Sequence, residues 1–287
     1  MQTSLSALST ILLLSLVGCA HAPATADPPT APARIEPAPA ARPDESSATL
    51  PAEERDRFLE LVKTGELAEI QRVLAGTPAL ATARAPTGRS AVLLALARAP
   101  ATRGKGQDFY AAADNPFLKA VLAARPVLDA FETAAVGDAD ALAKLLAADP
   151  TLVTRVHKSG WTLLHFASFA GNPAAVRVLL DHGAELEKRA ENKFENTPLL
   201  VSLLTGDRAT VQLLLDRGAN LAARYEGGTT ALHLAAELGG ADLVKLLLDR
   251  GAAVNARTDE GATPLSMAVK HSRTAAADLL RSRGAEL

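Results

Sequence analysis

Four threonines, Thr162, Thr197, Thr230 and Thr263, stand 35, 33 and 33 residues apart, and each opens a similar stretch: TLLHFASFAGN, TPLLVSLLTGD, TALHLAAELGG and TPLSMAVKHSR. A second landmark follows each of them, VRVLLDHGAEL, VQLLLDRGANL, VKLLLDRGAAV and ADLLRSRGAEL, whose glycines Gly183, Gly218, Gly251 and Gly284 repeat at the same intervals. A fixed period near 33 residues restricts the chain to a stacked array of similar modules. A module of this size cannot bury its apolar faces alone, so neighbours must stack to make a continuous core. The apolar content is mostly Leu, Ala and Val and the whole chain holds ten aromatics, the profile of helices rather than of a β-sandwich.

The landmarks have mechanical roles. Thr197-Pro198 and Thr263-Pro264 put an N-capping hydroxyl before a proline at the first helical position, where its missing N–H costs nothing. The run from Ala174 to Leu180 gives a second helix with one apolar face, and Gly183 can take the left-handed backbone that ends it. Upstream the repeats diverge, but LAGTPALATARAPTGRSAVLL from Leu74 parallels LAADPTLVTRVHKSGWTLLHF from Leu146 at a constant offset of 72, as do Gly65 and Gly137. Seventy-two is two periods with a few residues over, and the surplus is placed at 99–115 (APATRGKGQDFYAAADN). Seven helix pairs are expected, beginning near Glu53, Ser90, Val127, Thr162, Thr197, Thr230 and Thr263.

The pattern resembles the ankyrin-repeat family, whose T-P-L-H-x-A motif is matched best by Thr162-Leu163-Leu164-His165-Phe166-Ala167 and Thr230-Ala231-Leu232-His233-Leu234-Ala235. The resemblance implies an all-α solenoid with short β-turn fingers, diverged repeats over 53–156 and clear ones over 157–287. It also implies that His165 and His233 organise the hairpin turn by a hydrogen bond.

The chain's single cysteine lies in LVGCAH, after the apolar run Leu8 to Val17, which is of signal-peptide length and short for a bilayer span of about 20 residues. Leu16-Val17-Gly18-Cys19 resembles the lipobox of bacterial lipoproteins. That resemblance implies removal of residues 1–18, a lipid on the Cys19 sulfur, acylation of the new amino terminus and, with Ala20 next, sorting to the outer membrane. An ordinary signal peptide with an incidental cysteine and a short membrane helix are the competing readings; the preceding MQTSLSA carries no Lys or Arg. Residues 20–52 hold eight prolines and almost no large apolar side chain, too little to bury for folding, and read as an extended tether.

The formal charge of −2, from 30 basic and 32 acidic residues, gives no basic footprint for nucleic acid. No catalytic constellation stands out, and no cofactor or metal is expected. His157, His182 and His271 lack ligand spacing. Arg103-Gly104-Lys105-Gly106 lacks the rest of a phosphate loop, and Ser90 after Gly88-Arg89 reads as an N-cap.

In the ankyrin family, turn tips and the inner face of each first helix line a concave groove. Carried to this chain, those positions are Lys158, Trp161, Phe169, Lys193, Phe194, Asn196, Tyr225, Glu226, Glu237, Asp259, Glu260 and Lys270. Trp161, Phe169, Phe194 and Tyr225 would then be aromatic anchors on three adjacent repeats, flanked by charge as in a binding hot spot; Phe169 and Phe194 folding back onto neighbouring turns is the competing reading. Asp108-Phe109-Tyr110 at the centre of the insertion belongs to a disordered loop or docks on the array or a partner.

The expectation is a monomeric, membrane-tethered array that binds another protein in the bacterial envelope and catalyses nothing. An inhibitor or immunity protein that plugs a toxin or enzyme is the alternative, and an enzyme is the least favoured class.

Overall fold

A computed structural model describes residues 50–86, 88, 90–98, 115–192 and 194–287, leaving out the Glu226 side chain. The apolar leader, Cys19, the tether to residue 49, Asp108, Phe109 and Tyr110 with the rest of 99–114, and Lys193 lie outside the described residues.

Fourteen α-helices pair in chain order: α1 (Ala52–Thr64) with α2 (Leu67–Gly76), α3 (Ala91–Leu96) with α4 (Pro116–Ala123), α5 (Ala130–Val136) with α6 (Ala139–Ala148), α7 (Leu163–Phe169) with α8 (Pro173–Asp181), α9 (Pro198–Thr205) with α10 (Arg208–Asp216), α11 (Ala231–Leu238) with α12 (Ala241–Asp249), and α13 (Pro264–Lys270) with α14 (Thr274–Ser282). The odd-numbered helices stack on one another as an inner layer, and the even-numbered ones form an outer layer. The described residues therefore make seven helix pairs in an all-α solenoid.

α8 shows why one module folds as it does. The Asn172 side chain accepts from the Ala174 and Ala175 N–H groups at 3.1 and 3.0 Å, and Pro173 fills the first position. Ala175, Val176 and Leu179 make the buried face. The helix ends at His182 before Gly183, where φ is 86° and the Ala184 N–H reaches back to the Leu179 carbonyl at 2.9 Å. Asn172 also binds backward, its Nδ2 donating to the Gly137 carbonyl at 3.1 Å, so one cap both starts a helix and ties two pairs together.

Inner helices differ from outer ones. Every residue of α3 and α7 is buried, as are Pro198–Leu204 of α9 and Ala231–Glu237 of α11, whereas α13 buries only Pro264, Leu265 and Ala268. These helices have no polar face because outer helices, neighbouring inner helices and the fingers surround them.

Three expected boundaries shift. α1 starts at Ala52, and Leu50 packs on the core, so the last residues of the tether stretch belong to the folded part. Asn115 is no loop residue: it is fully buried, caps α4 through Phe117 and Leu118, and donates to the Ala95 and Leu96 carbonyls at 2.8 and 3.3 Å. The third pair starts at Ala130 behind an Asp129 cap, not at Val127, which stays exposed.

Candidate functional site

The fingers that precede the inner helices are closed by backbone pairing between Arg84 and Ser90, Val156 and Thr162, and Tyr225 and Thr229. At the fourth pair the His157 N–H bonds the Trp161 carbonyl at 2.8 Å and the Gly160 N–H bonds His157 at 2.8 Å. The motif histidines then bolt one finger to the next. The Thr162 N–H (3.3 Å) and hydroxyl (2.8 Å) both meet His165 Nδ1, which must therefore be the unprotonated nitrogen. Nε2–H is left to donate to the Asn196 carbonyl of the next finger at 2.9 Å. Thr230, His233 and the Ala262 carbonyl repeat this at 3.3, 2.9 and 3.0 Å. Burial holds the His165 pKa down to about 4, against the opposing pull of the Asn196 carbonyl, and lowers His233 for the same reason. Thr197 and Thr263 cap directly, each accepting a backbone N–H over Pro198 and Pro264.

The expected aromatic groove is not a surface. Trp161 is 0 % exposed, Asn196 2 %, Phe169 and Phe194 3 %, Glu237 5 % and Tyr225 8 %. Trp161 stacks on His165 with centroids 6.0 Å apart and meets Phe166 and Phe169 edge-to-face at 5.3 and 5.5 Å. Phe131, His157 and Phe166 continue the cluster at 5.1 to 5.7 Å. Trp161 Nε1 finds no hydrogen-bond partner there. Magnitudes explain why the ring is buried regardless: an indole removes roughly 200 Å² from water, worth about 5 kcal/mol at ~25 cal/mol/Å², against about 1–3 kcal/mol for a lone buried N–H. Phe169 comes one helical turn after His165 and so falls against the same ring.

Of the positions carried over, Lys158, Asp259, Glu260 and Lys270 are exposed. Lys158 Nζ donates to the Pro86 carbonyl at 2.8 Å, and Asp259 pairs with Arg224 at 2.7 Å. Beside Lys270, Val269 is 45 % exposed, so the inner layer opens at α13. Just inside that opening Glu237 Oε1 lies 3.5 Å from His271 Nε2. Burial raises the Glu237 pKa while Lys270 and Arg273 oppose it; burial, Lys270 and Arg273 together lower that of His271. Both shifts favour the uncharged forms, so the two groups gain little as an ion pair.

Two features escaped the sequence reading. Asp181 pairs with Arg217, Asp216 with Arg250 and Asp249 with Arg283, at 2.9, 2.8 and 3.0 Å, a ladder across successive outer helices. Its signal was legible in the repeated D-[HR]-G, because the Asp of one module meets the Arg one place after the matching position in the next. The other is an acidic capping box at α5, in which Glu132 occupies the motif-histidine position and its carboxylate accepts from the Asp129 N–H at 2.9 Å. Arg84 ion-pairs with both carboxylates. Asp129-x-x-Glu132 was readable as a cap, but not its partner 45 residues upstream.

Among the described residues no group of three or more His, Cys, Asp or Glu side chains could hold a metal ion, and no helix is long and apolar enough to cross a membrane. The recurrent finger, helix pair and threonine–histidine bolt are matched by a family model described as ankyrin repeats (3 copies), over residues 131–225 and 222–287. A rice protein (Oryza sativa subsp. japonica) named E3 ubiquitin-protein ligase XB3 is 39% identical over 77 residues, which is 26% of this chain and 17% of that protein. The chain therefore spans about a sixth of that relative's length. With more than half of its residues inside the matched repeats and the rest of the described chain paired in the same way, the chain belongs to the ankyrin-repeat family.

Proposed function

We propose that the chain is an envelope lipoprotein: Cys19 carries the lipid, residues 20–49 reach outward, and the array holds another protein without covalent chemistry. The observation that carries the binding role is the division between a closed inner layer and an open rim. α3, α7, α9 and α11 show no free face, whereas exposed charge stands at the finger tips and at α13 beside Val269. A surface with Glu260, Lys270 and a part-exposed valine can recognise a folded or extended protein of complementary charge. The solitary Cys19 behind an apolar run supports the anchor, since several acyl chains hold a protein on a bilayer far more firmly than one.

Affinity capture from solubilised membranes tests this. The wild type should retain a discrete partner that E260K/K270E loses at an unchanged urea midpoint, and C19A should leave the membrane fraction. The same captured species with the charge-reversed chain, or membrane retention of C19A, would contradict the reading.

A further inference from the structure

One finger of the array is missing. Between α4 and α5 there are six residues, against 14 or 16 between every other outer helix and the next inner one. That connection, Ala124–Asp129, is too short for a finger, and Arg125 turns it at φ 53°. The consequence is a contact that skips a module. The finger of the second pair lies directly against that of the fourth: Lys158 Nζ bonds the Pro86 carbonyl at 2.8 Å, and a Cβ at Gly88 would come within 3.1 Å of His157 Nε2. The 72-residue echo in the sequence is therefore also a contact in space.

Elsewhere, packing and backbone-directed bonds both couple neighbours. Arg98 donates to the Val62 and Gly65 carbonyls of the first pair at 3.1 and 2.6 Å, and its guanidinium lies 3.7 Å over the Phe117 ring. Asn172 binds Gly137, Arg208 binds the Asp242 carbonyl and Arg273 the Glu237 carbonyl. At the junction of the second and third pairs, α3 and α5 pack over a shorter stretch than α5 and α7, and α4 and α6 are the consecutive outer helices of the described chain in least contact. Besides the Lys158–Pro86 bond between fingers, what crosses there is charge. Arg84, from the second pair's finger, holds Asp129 at 2.7 Å and also holds Glu132, a carboxylate 2 % exposed.

The geometry points to a latched seam: Arg84 clamps the α1–α4 block onto the α5–α14 block, and with the clamp released the two open as separate units. A one-dimensional array transmits stability only through its interfaces, so it divides where an interface is weakest. Because Arg84 is the counter-charge of the buried Glu132 carboxylate, losing it leaves that charge uncompensated and leaves the finger contact and a thin strip of helix packing to hold the blocks together. The device concerns the array alone and holds whatever partner the rim takes.

Hydrogen exchange on the full chain tests it. In R84M the amides of α1–α4 should exchange about tenfold faster or more, while those of α9–α14 stay within about twofold of wild type. Equal acceleration along the whole chain, or none, would overturn the seam. Should R84M yield no soluble chain, E132Q keeps the side-chain shape without the charge that Arg84 meets. Its exchange should quicken by about threefold in α1–α4 alone, and a level or uniform profile would overturn the proposal equally.

Discussion

His165 concentrates the residue-scale logic. Its ring is buried, its tautomer is set by the Thr162 N–H on one side and the Asn196 carbonyl on the other, and it spans two modules. With the folded pKa at about 4 and the unfolded value near 6.5, the unfolded chain binds the proton first as pH falls. The stabilisation is complete above about pH 6.5 and is lost progressively towards pH 4, to the extent of about 3 kcal/mol. Urea midpoints of the wild type should therefore fall more steeply between pH 7 and 4.5 than those of H165Q, which has no group titrating there. Parallel profiles would mean that the imidazole is not held neutral. His233 acts in the same direction.

At the scale of the element, fingers and helix ends use glycine for different reasons. Gly160 and Gly183 both have left-handed backbones, at φ 83° and 86°. A Cβ at Gly160 would overlap the Glu191 carbonyl of the next finger, whereas at Gly183 nothing lies within 4 Å. G183A should thus cost about 1 kcal/mol from backbone conformation alone, and G160A about 3 kcal/mol or more because a neighbouring finger must also move; equal losses by denaturant titration would contradict the close approach. Elements of this kind were well marked in the sequence. Thr-Pro caps, helix-ending glycines and the 33-residue period are local signals, and local chemistry decides them. Side-chain destination is not local. Trp161 and Phe169 stand where the family presents binding residues, yet Trp161 packs against His165 and Phe166, and Phe169 against Trp161, which draws both into the core. The missing finger before α5 was likewise hidden, because a divergent stretch was read at a constant 72-residue offset that says nothing of how its residues divide between helix and turn.

For the whole molecule, the arrangement amounts to coupling between neighbours, with the finger of the second pair reaching past the third to the fourth. Inner helices stack in order, the Asp–Arg ladder joins Asp181, Asp216 and Asp249 to the following modules, and each threonine–histidine bolt reaches one finger ahead. Among the described residues no contact demands that the two ends meet. Binding through the rim, the anchor at Cys19 and the seam at Arg84 all presuppose such a row. Urea unfolding of a chain ending at residue 257, followed by circular dichroism beside the full-length protein, tests it most directly. Twelve of the fourteen helices remain, so the shortened chain should keep about six-sevenths of the helical signal and unfold at a lower midpoint. Loss of nearly all helix on removing that one pair, or a midpoint unmoved by its removal, would show that stability does not pass from neighbour to neighbour.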